Sequence, residues 1–311
     1  MKILVFGSLN LDHTYDVDHF VRPGETLSAV SQRLSAGGKG LNQSIALARA
    51  GARVYHAGCL GRGGEMLKDL LDENGVDTGL IRPVDELQGN AVIQLAPSGE
   101  NCILLFGGSN QCVDGEQIKK SLEGFGPGDW LLLQNEINML REIVDAAYEK
   151  GMNIALNPSP YNEKIASVDL AKIRWLFVNQ VEGRQILEEA GGSADKEQLD
   201  PADIWKGIHE KYPGLSLLVT LGADGSEAWS PVEGEIRHCR CRAVKVDALD
   251  TTGAGDSYTG YFLAGLMEGL SLKECMERAS MAAAISVTRP GAAASIPELR
   301  EVELALGARK L

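Results

Sequence analysis

Short runs of consecutive apolar, β-prone residues recur along the chain, at 2–8 (KILVFGS), 53–59 (RVYHAGC), 129–134 (DWLLLQ), 153–157 (NIALN), 174–179 (RWLFVN) and 215–221 (LSLLVTL). Runs of this length, apolar at successive positions, predict strands of a parallel sheet covered on both faces. Between them, 41–50, 65–74 and 137–150 carry apolar residues at helical spacing, and Gly51, Gly75 and Gly151 stand where such helices stop. The alternation predicts an α/β layered domain. Two stretches, 12–36 and 89–106, lack helical period. The second reads as two extended runs around a Pro-Ser-Gly turn, the pattern of a hairpin, and both fit a small β appendage on the main sheet. Neither a repeat nor a linker interrupts the 311 residues, so a single domain over 1–311 with an inserted lid at 12–36 and 89–106 is expected.

The balance of 30 Lys+Arg against 43 Asp+Glu gives a net charge of −13. That sign opposes non-specific attraction to nucleic acid or an anionic membrane. The start, MKILVFGSLNLD, lacks the apolar core of a secretory signal, and no run reaches the roughly 18 apolar residues of a membrane span. A cytoplasmic protein is expected. The six cysteines (59, 102, 112, 239, 241, 275) form no CxxC pair, which points to reduced structural thiols; Cys239 and Cys241 would share one strand face. The five histidines show no metal spacing and receive no chemistry. Glycine, 36 of 311 residues, is enriched over the usual share of about 7%. Tight turns or close backbone approach to a ligand account for such enrichment.

Chemistry concentrates in DTTGAGDSYTGYFLAGL (250–266). Tyr258, Tyr261, Phe262 and Leu266 follow helical spacing, so Gly253, Ala254 and Gly255 lie at a helix N-terminus whose free N–H groups and dipole favour an anion. Asp256, in the first turn, is either a capping residue or a base placed to take a proton from a hydroxyl attacking a phosphoryl group. Two other phosphate motifs fail. GAGDSY has Tyr258 where a dinucleotide fingerprint needs its third Gly, and at SAGGKG Arg33 and Gly40 occupy positions where a Walker loop needs Gly and Ser/Thr. AGGKGLNQSIALARAG (36–51) opens a helix with glycines followed by Lys39, Asn42 and Gln43, and GSLNLD (7–12) ends a strand with Asn10 and Asp12 toward one side. Each alone reads as an ordinary turn or solvated strand end.

In their order, GSLNLD, PGET (23–26), GGKGLNQ (37–43), NPSP (157–160), NQVE (179–182), TLGADG (220–225), DTTGAGD (250–256) and VTRPGAAASIP (287–297) make the chain resemble the ribokinase family of carbohydrate and nucleoside kinases over nearly its whole length. The resemblance implies a three-layer α/β/α fold with a mostly parallel central sheet and a small β-sheet lid. It implies transfer of the ATP γ-phosphoryl group to the primary hydroxyl of a pentose, with D-ribose giving D-ribose 5-phosphate as the leading substrate. Asp256 would be the base, and Gly253, Ala254 and Gly255 the anion hole. Asn10, Asp12, Gly38, Lys39, Asn42, Glu136 and Asp256 would bind the sugar; Asn179, Thr220, Gly222 and Gly225 the nucleotide. Glu182 would organise Mg²⁺ through water, while Asp250, Thr252, Ser286, Arg289, Gly291 and Ser295 would surround an activating K⁺. For Asn179 and Glu182 alone, helix capping is the competing reading, and for Arg289 a surface charge. Within the family, a nucleoside such as pseudouridine, fructose or a ketose phosphate are alternative substrates. A phosphorylated substrate would need Arg/Lys in the lid, where Arg22 and Arg33, with Lys39 nearby, face Asp12, Asp16 and Asp18. A non-catalytic sensor would have no need of Asp256. A homodimer through the lid is expected, since a second lid would cover its apolar face.

Overall fold

The computed structural model describes residues 1–192 and 199–309. In chain order the elements are β1 (Ile3–Phe6), β2 (Asn10–Asp16), β3 (Ser31–Gly37), α1 (Lys39–Arg49), β4 (Val54–Arg62), α2 (Glu65–Glu73), β5 (Asp77–Leu87), β6 (Asn90–Leu95) and β7 (Asn101–Phe106). They continue with α3 (Gly115–Leu122), β8 (Trp130–Gln134), α4 (Leu140–Glu149), β9 (Asn153–Asn157), β10 (Trp175–Asn179), α5 (Gln180–Glu189), α6 (Pro201–Lys211) and β11 (Ser216–Thr220). The last are β12 (Ser226–Val232), β13 (Glu235–Cys241), α7 (Ala254–Glu268), α8 (Leu272–Ser286) and α9 (Leu299–Arg309).

The central sheet runs β13-β12-β11-β10-β9-β8-β1-β4-β5, parallel from β11 to β5 and antiparallel at the β12 and β13 edge. Alternation within β1 shows why both faces must be covered. Leu4 and Phe6 belong to the core under α3 to α6, while Ile3 and Val5 belong to the core under α1, α2 and α7 to α9. Three α/β/α layers result, as expected from the fully apolar strands. The helix stops also hold, with Gly51, Gly75 and Gly151 at φ 92°, 75° and 71°. Ser271 caps α8 in a reciprocal box with Glu274.

A second sheet, β3-β2-β6-β7, forms the lid. It begins at Asn10 rather than at residue 12, because the chain leaves the central sheet by Gly7 and enters the lid ladder at once, Asn10 opposite Gly37. GSLNLD is therefore no solvated strand end: it joins the two sheets, and Asn10 is buried. The expected hairpin is β6 and β7, antiparallel around Pro97-Ser98-Gly99, with Gly99 at φ 85°. Strands β5, β12 and β13 carry no fully apolar run: β5 and β13 are the two edges, where Pro and charge mix in as at Pro83 and Glu86, and β12, between β11 and β13, carries Ser226, Glu227, Ser230 and Pro231.

Strand β1 lies between β4 and β8, so the connections diverge on its two sides and leave a crevice at the carboxyl ends of the strands. Gln134, Asn157, Asn179 and Thr220 are the last residues of β8, β9, β10 and β11, all directed by topology to that end. Across the crevice α1 meets α7 closely: a Cβ on Gly260 would overlap Ala46 and press on the Leu47 backbone nitrogen. Gly260 is one turn beyond Asp256, and Ala46 and Leu47 one turn beyond Asn42 and Gln43. This close crossing brings the two motifs together.

Candidate active site

A cleft of about 240 Å³ opens at the crevice, lined by Lys39, Asn157, Ser159, Phe177, Val178, Asn179, Glu182, Thr220, Thr251, Gly253, Gly255, Asp256 and Thr259. Asp256 is buried in the first turn of α7, and its carboxylate is held from both sides. Asn42 Nδ2 donates to Oδ2 at 3.0 Å and Gln43 Nε2 to Oδ1 at 2.8 Å. Gly253 precedes the helix in the left-handed region, φ 73°, and a Cβ on Gly255 would meet open space on the cleft side. The Ala254 N–H turns toward the Thr251 carbonyl at 3.3 Å. That leaves Gly255, among the three residues expected to form the anion hole, with the most open approach to a first-turn N–H.

Next to this helix start, three carboxylates gather around one ammonium. Lys39 begins α1, its backbone N–H donating to Glu136 at 2.9 Å, and Glu136 also accepts from the Ser8 hydroxyl. Burial would disfavour the Lys39 charge, yet Asp256, Glu136 and Glu182 outweigh it and hold the ammonium above its ordinary value. Burial raises Glu136, with Lys39 acting against it. Asp12, on β2, is pushed up to about 7 by burial and then by the charges of Glu136 and Asp256. Gly38 sits at φ 93°, letting the chain pass Asn10 and Ser8 into the helix. Asn10 accepts from Asn110 Nδ2 at 2.7 Å. Asn42 Oδ1 is buried and meets no donor among the described residues. Such an atom suits a ligand hydroxyl.

On the other side of the cleft, Asn179 and Glu182 form a capping box at α5: Glu182 N–H donates to Asn179 Oδ1 at 2.8 Å, and Asn179 N–H to Glu182 Oε2 at 3.0 Å. The competing capping reading thus describes their geometry, and both side chains nevertheless line the cleft. Thr220 Oγ1 donates to the Val178 carbonyl at 3.3 Å. Gly222 and Gly225 shape the following turn at φ 57° and 103°, and a Cβ on Gly225 would overlap the Cys241 carbonyl oxygen.

Behind α7, Asp250 ties two loops, accepting from Thr252 N–H at 2.9 Å and Gly291 N–H at 2.8 Å. Burial opposes its charge, but these hydrogen bonds more than offset it and hold the carboxyl below its ordinary range. The buried Ser286 and Ser295 hydroxyls bond each other at 3.1 Å. Arg289 turns its guanidinium to Glu301 at 2.6 Å, so only its backbone is available to the loop. Ser8, Gln43, Asn157 and Ser159 belong to the site and were not among the expected site residues. GGKGLNQ and NPSP pointed at the last three, whereas Ser8 carried no signal before the helix start was folded against it.

Known proteins are similar to this chain over nearly its whole length. The profile of the pfkB family carbohydrate kinases matches residues 1–299. A ribokinase of Haemophilus influenzae is 33% identical over 96% of this chain and 96% of its own, and one of Schizosaccharomyces pombe 31% over 100% and 99%. Among solved structures, ribokinase from Cryptococcus neoformans var. grubii serotype A in complex with ADP superposes with a TM-score of 0.87 at 35% identity, covering 98% of each chain. Arabidopsis thaliana ribokinase complexed with ribose and ATP gives 0.83 at 28%, also covering 98% of each. With its buried Asp256 carboxylate, glycine turn and three-layer fold, the chain belongs to the pfkB family of carbohydrate kinases, phosphotransferases that act on a sugar hydroxyl.

Proposed function

We infer that the protein is an ATP-dependent ribokinase-type enzyme that transfers the γ-phosphoryl group to the primary hydroxyl of D-ribose, giving D-ribose 5-phosphate. One observation carries the reading: Asp256, clamped by Asn42 and Gln43, stands one turn into a helix whose glycine start opens on the cleft. The ribokinase relatives, and the one solved with ribose and ATP, support the substrate pair.

The sugar lies between the lid and α1. Asn10, Asp12, Asn42 and Glu136 receive or donate to its hydroxyls, the Asn42 Oδ1 gaining the donor it otherwise lacks. Asp256 takes the proton of the primary hydroxyl as its oxygen attacks the γ-phosphorus in line, and ADP leaves. Negative charge on the transferring group faces the Gly253, Ala254 and Gly255 turn and the Lys39 ammonium; an anion-hole donor is worth roughly 3 kcal/mol. Asn179, Thr220, Gly222 and Gly225 frame the nucleotide.

Two ions fit the residues present. Mg²⁺, held chiefly by phosphates and water, needs little from the protein, and Glu182 keeps one carboxylate oxygen outside its cap. K⁺ would find an ionised Asp250 with Thr252, Ser286, Gly291, Ser295 and the Arg289 backbone around it. Mg²⁺ would neutralise phosphate charge during transfer, and K⁺ would order the helix start. A neutral sugar suits the pocket better than a sugar phosphate: Arg33 is paired with Asp16 at 2.9 Å, and the Lys39 charge is offset by the fields of Asp256, Glu136 and Glu182. The chain works as one α/β unit with its lid inserted, in the cytoplasm. It pairs as a homodimer through the lid, where Ile103, Leu104, Leu105 and Phe106 on β7 are all exposed. A sedimentation mass of one chain would overturn the dimer.

The deciding assay is ADP release from Mg-ATP with D-ribose, pseudouridine, fructose and fructose phosphates, in potassium and in sodium. Ribose turnover that rises in potassium supports both the substrate and the cation loop. Turnover on another substrate alone would keep the catalytic residues and overturn the substrate.

A further inference from the structure

Gln43 is fully buried, and its amide makes three hydrogen bonds that determine one another. Asn157 Nδ2 is committed to the Phe177 carbonyl at 3.0 Å, so Asn157 Oδ1 faces Gln43 as an acceptor. Gln134 Nε2 donates to Gln43 Oε1 at 2.6 Å. Gln43 Nε2 is thereby left to donate to Asn157 Oδ1 at 3.1 Å and to Asp256 Oδ1 at 2.8 Å. The sense of every bond follows from a backbone carbonyl, which accepts only, and the flip of the amide is settled by it. The chain of amides is moored at the ends of β8 and β9 and, through Phe177, on β10.

We propose that Gln43 is a positioning residue for phosphoryl transfer, fixing the plane of the Asp256 carboxylate by donating to Oδ1 from an amide that is itself locked on both sides. The inference rests on Asp256 being the base. Facing that carboxylate are Lys39 from the start of α1, Glu136 from the loop after β8 and Asp12 from β2. Asn42 and Gln43 supply the two side-chain amide donors, one to each carboxylate oxygen. Asn42, on Oδ2, also has an atom free for the sugar. Gln43 has none, its Nε2 and Oε1 being occupied, and acts only through the base.

The test uses the full chain carrying Gln43→Glu or Gln43→Met, with Asp256→Asn alongside, and follows kcat and ribose KM from pH 5.5 to 9. Glu keeps the shape but replaces the donor with a like charge; Met removes the donor alone. For Gln43→Glu, kcat at pH 7 should fall at least about tenfold and the acid limb of kcat should rise by about one pH unit or more, with KM changed less than about threefold. For Gln43→Met the limb should move the same way by less. If Asp256→Asn is inactive while both Gln43 variants keep the parent kcat and acid limb, Gln43 has no such role and the base reading stands. If Asp256→Asn keeps full turnover, the base reading falls and this inference with it. Loss of cooperative unfolding and of ADP binding in both Gln43 variants would also overturn it, making the residue structural only.

Discussion

The two sides of the cleft are built on different physics. Around Lys39, charged side chains stand close together and partly out of water, and Asp12, Glu136 and Lys39 all titrate away from their ordinary values. Around Asn179 and Thr220, the polar atoms are already bonded within the fold and the specific features are backbone shapes: the capping box at α5 and the left-handed glycines 222 and 225. On the proposed assignment, the sugar side is chemically poised and the nucleotide side conformationally preset. Substitutions on the first should alter pH dependence and turnover; on the second they should alter stability and nucleotide affinity, with little change in the pH profile.

The sharpest break of that contrast is Asp256→Asn, which keeps the shape and removes the proposed base. Turnover should fall at least about a hundredfold while ribose still binds, as calorimetry can check. Next comes Gly225→Ala on the opposite side. It forces a Cβ against the Cys241 carbonyl in a left-handed turn, and should cost about 1–3 kcal/mol in thermal or denaturant unfolding and raise the ATP KM. A third prediction concerns Asp12. With its pKa near 7 in the free protein, it carries a charge above that pH and loses it below. kcat/KM for ribose should then fall about tenfold for each pH unit below 7, and the limb should vanish in Asp12→Asn. The smallest effect is expected for Asn179→Ala, which removes a helix cap worth about 1 kcal/mol, measurable as a lowered unfolding midpoint with the acid limb unmoved. A shifted acid limb in Gly225→Ala or Asn179→Ala would erase the distinction between the two sides.

Much of this was legible along the chain because it depends on neighbours in sequence. The apolar strand runs, the glycine stops, the α7 start and the hairpin are local, set by side-chain period and by φ angles open to glycine. The lid sheet begins at Asn10, two residues before the boundary the pattern suggests, because nothing in GSLNLD tells a strand that ends from one that passes into a second sheet. The edge strands β5 and β13 are illegible for the same kind of reason, since an edge strand needs one apolar face at most, and in β12 Ser, Glu and Pro break the apolar run so that its pattern blends with loops.

The sequence alone determined the layered fold, the glycine-opened helix start at 253–255 and the motifs that place Asp256 in a sugar kinase. Only the folded chain decided which polar groups meet. The bonds from Asn42 and Gln43 to Asp256 span more than 200 positions, and they exist because Gly260 lets α7 lie directly on α1. The raised Asp12 follows from burial beside Glu136 and Asp256, and the Arg289 guanidinium is turned away from the cation loop by Glu301 on α9. Electrostatic coupling and hydrogen-bond direction depend on distance through space, and a linear pattern holds that information only where the chain turns back on itself locally.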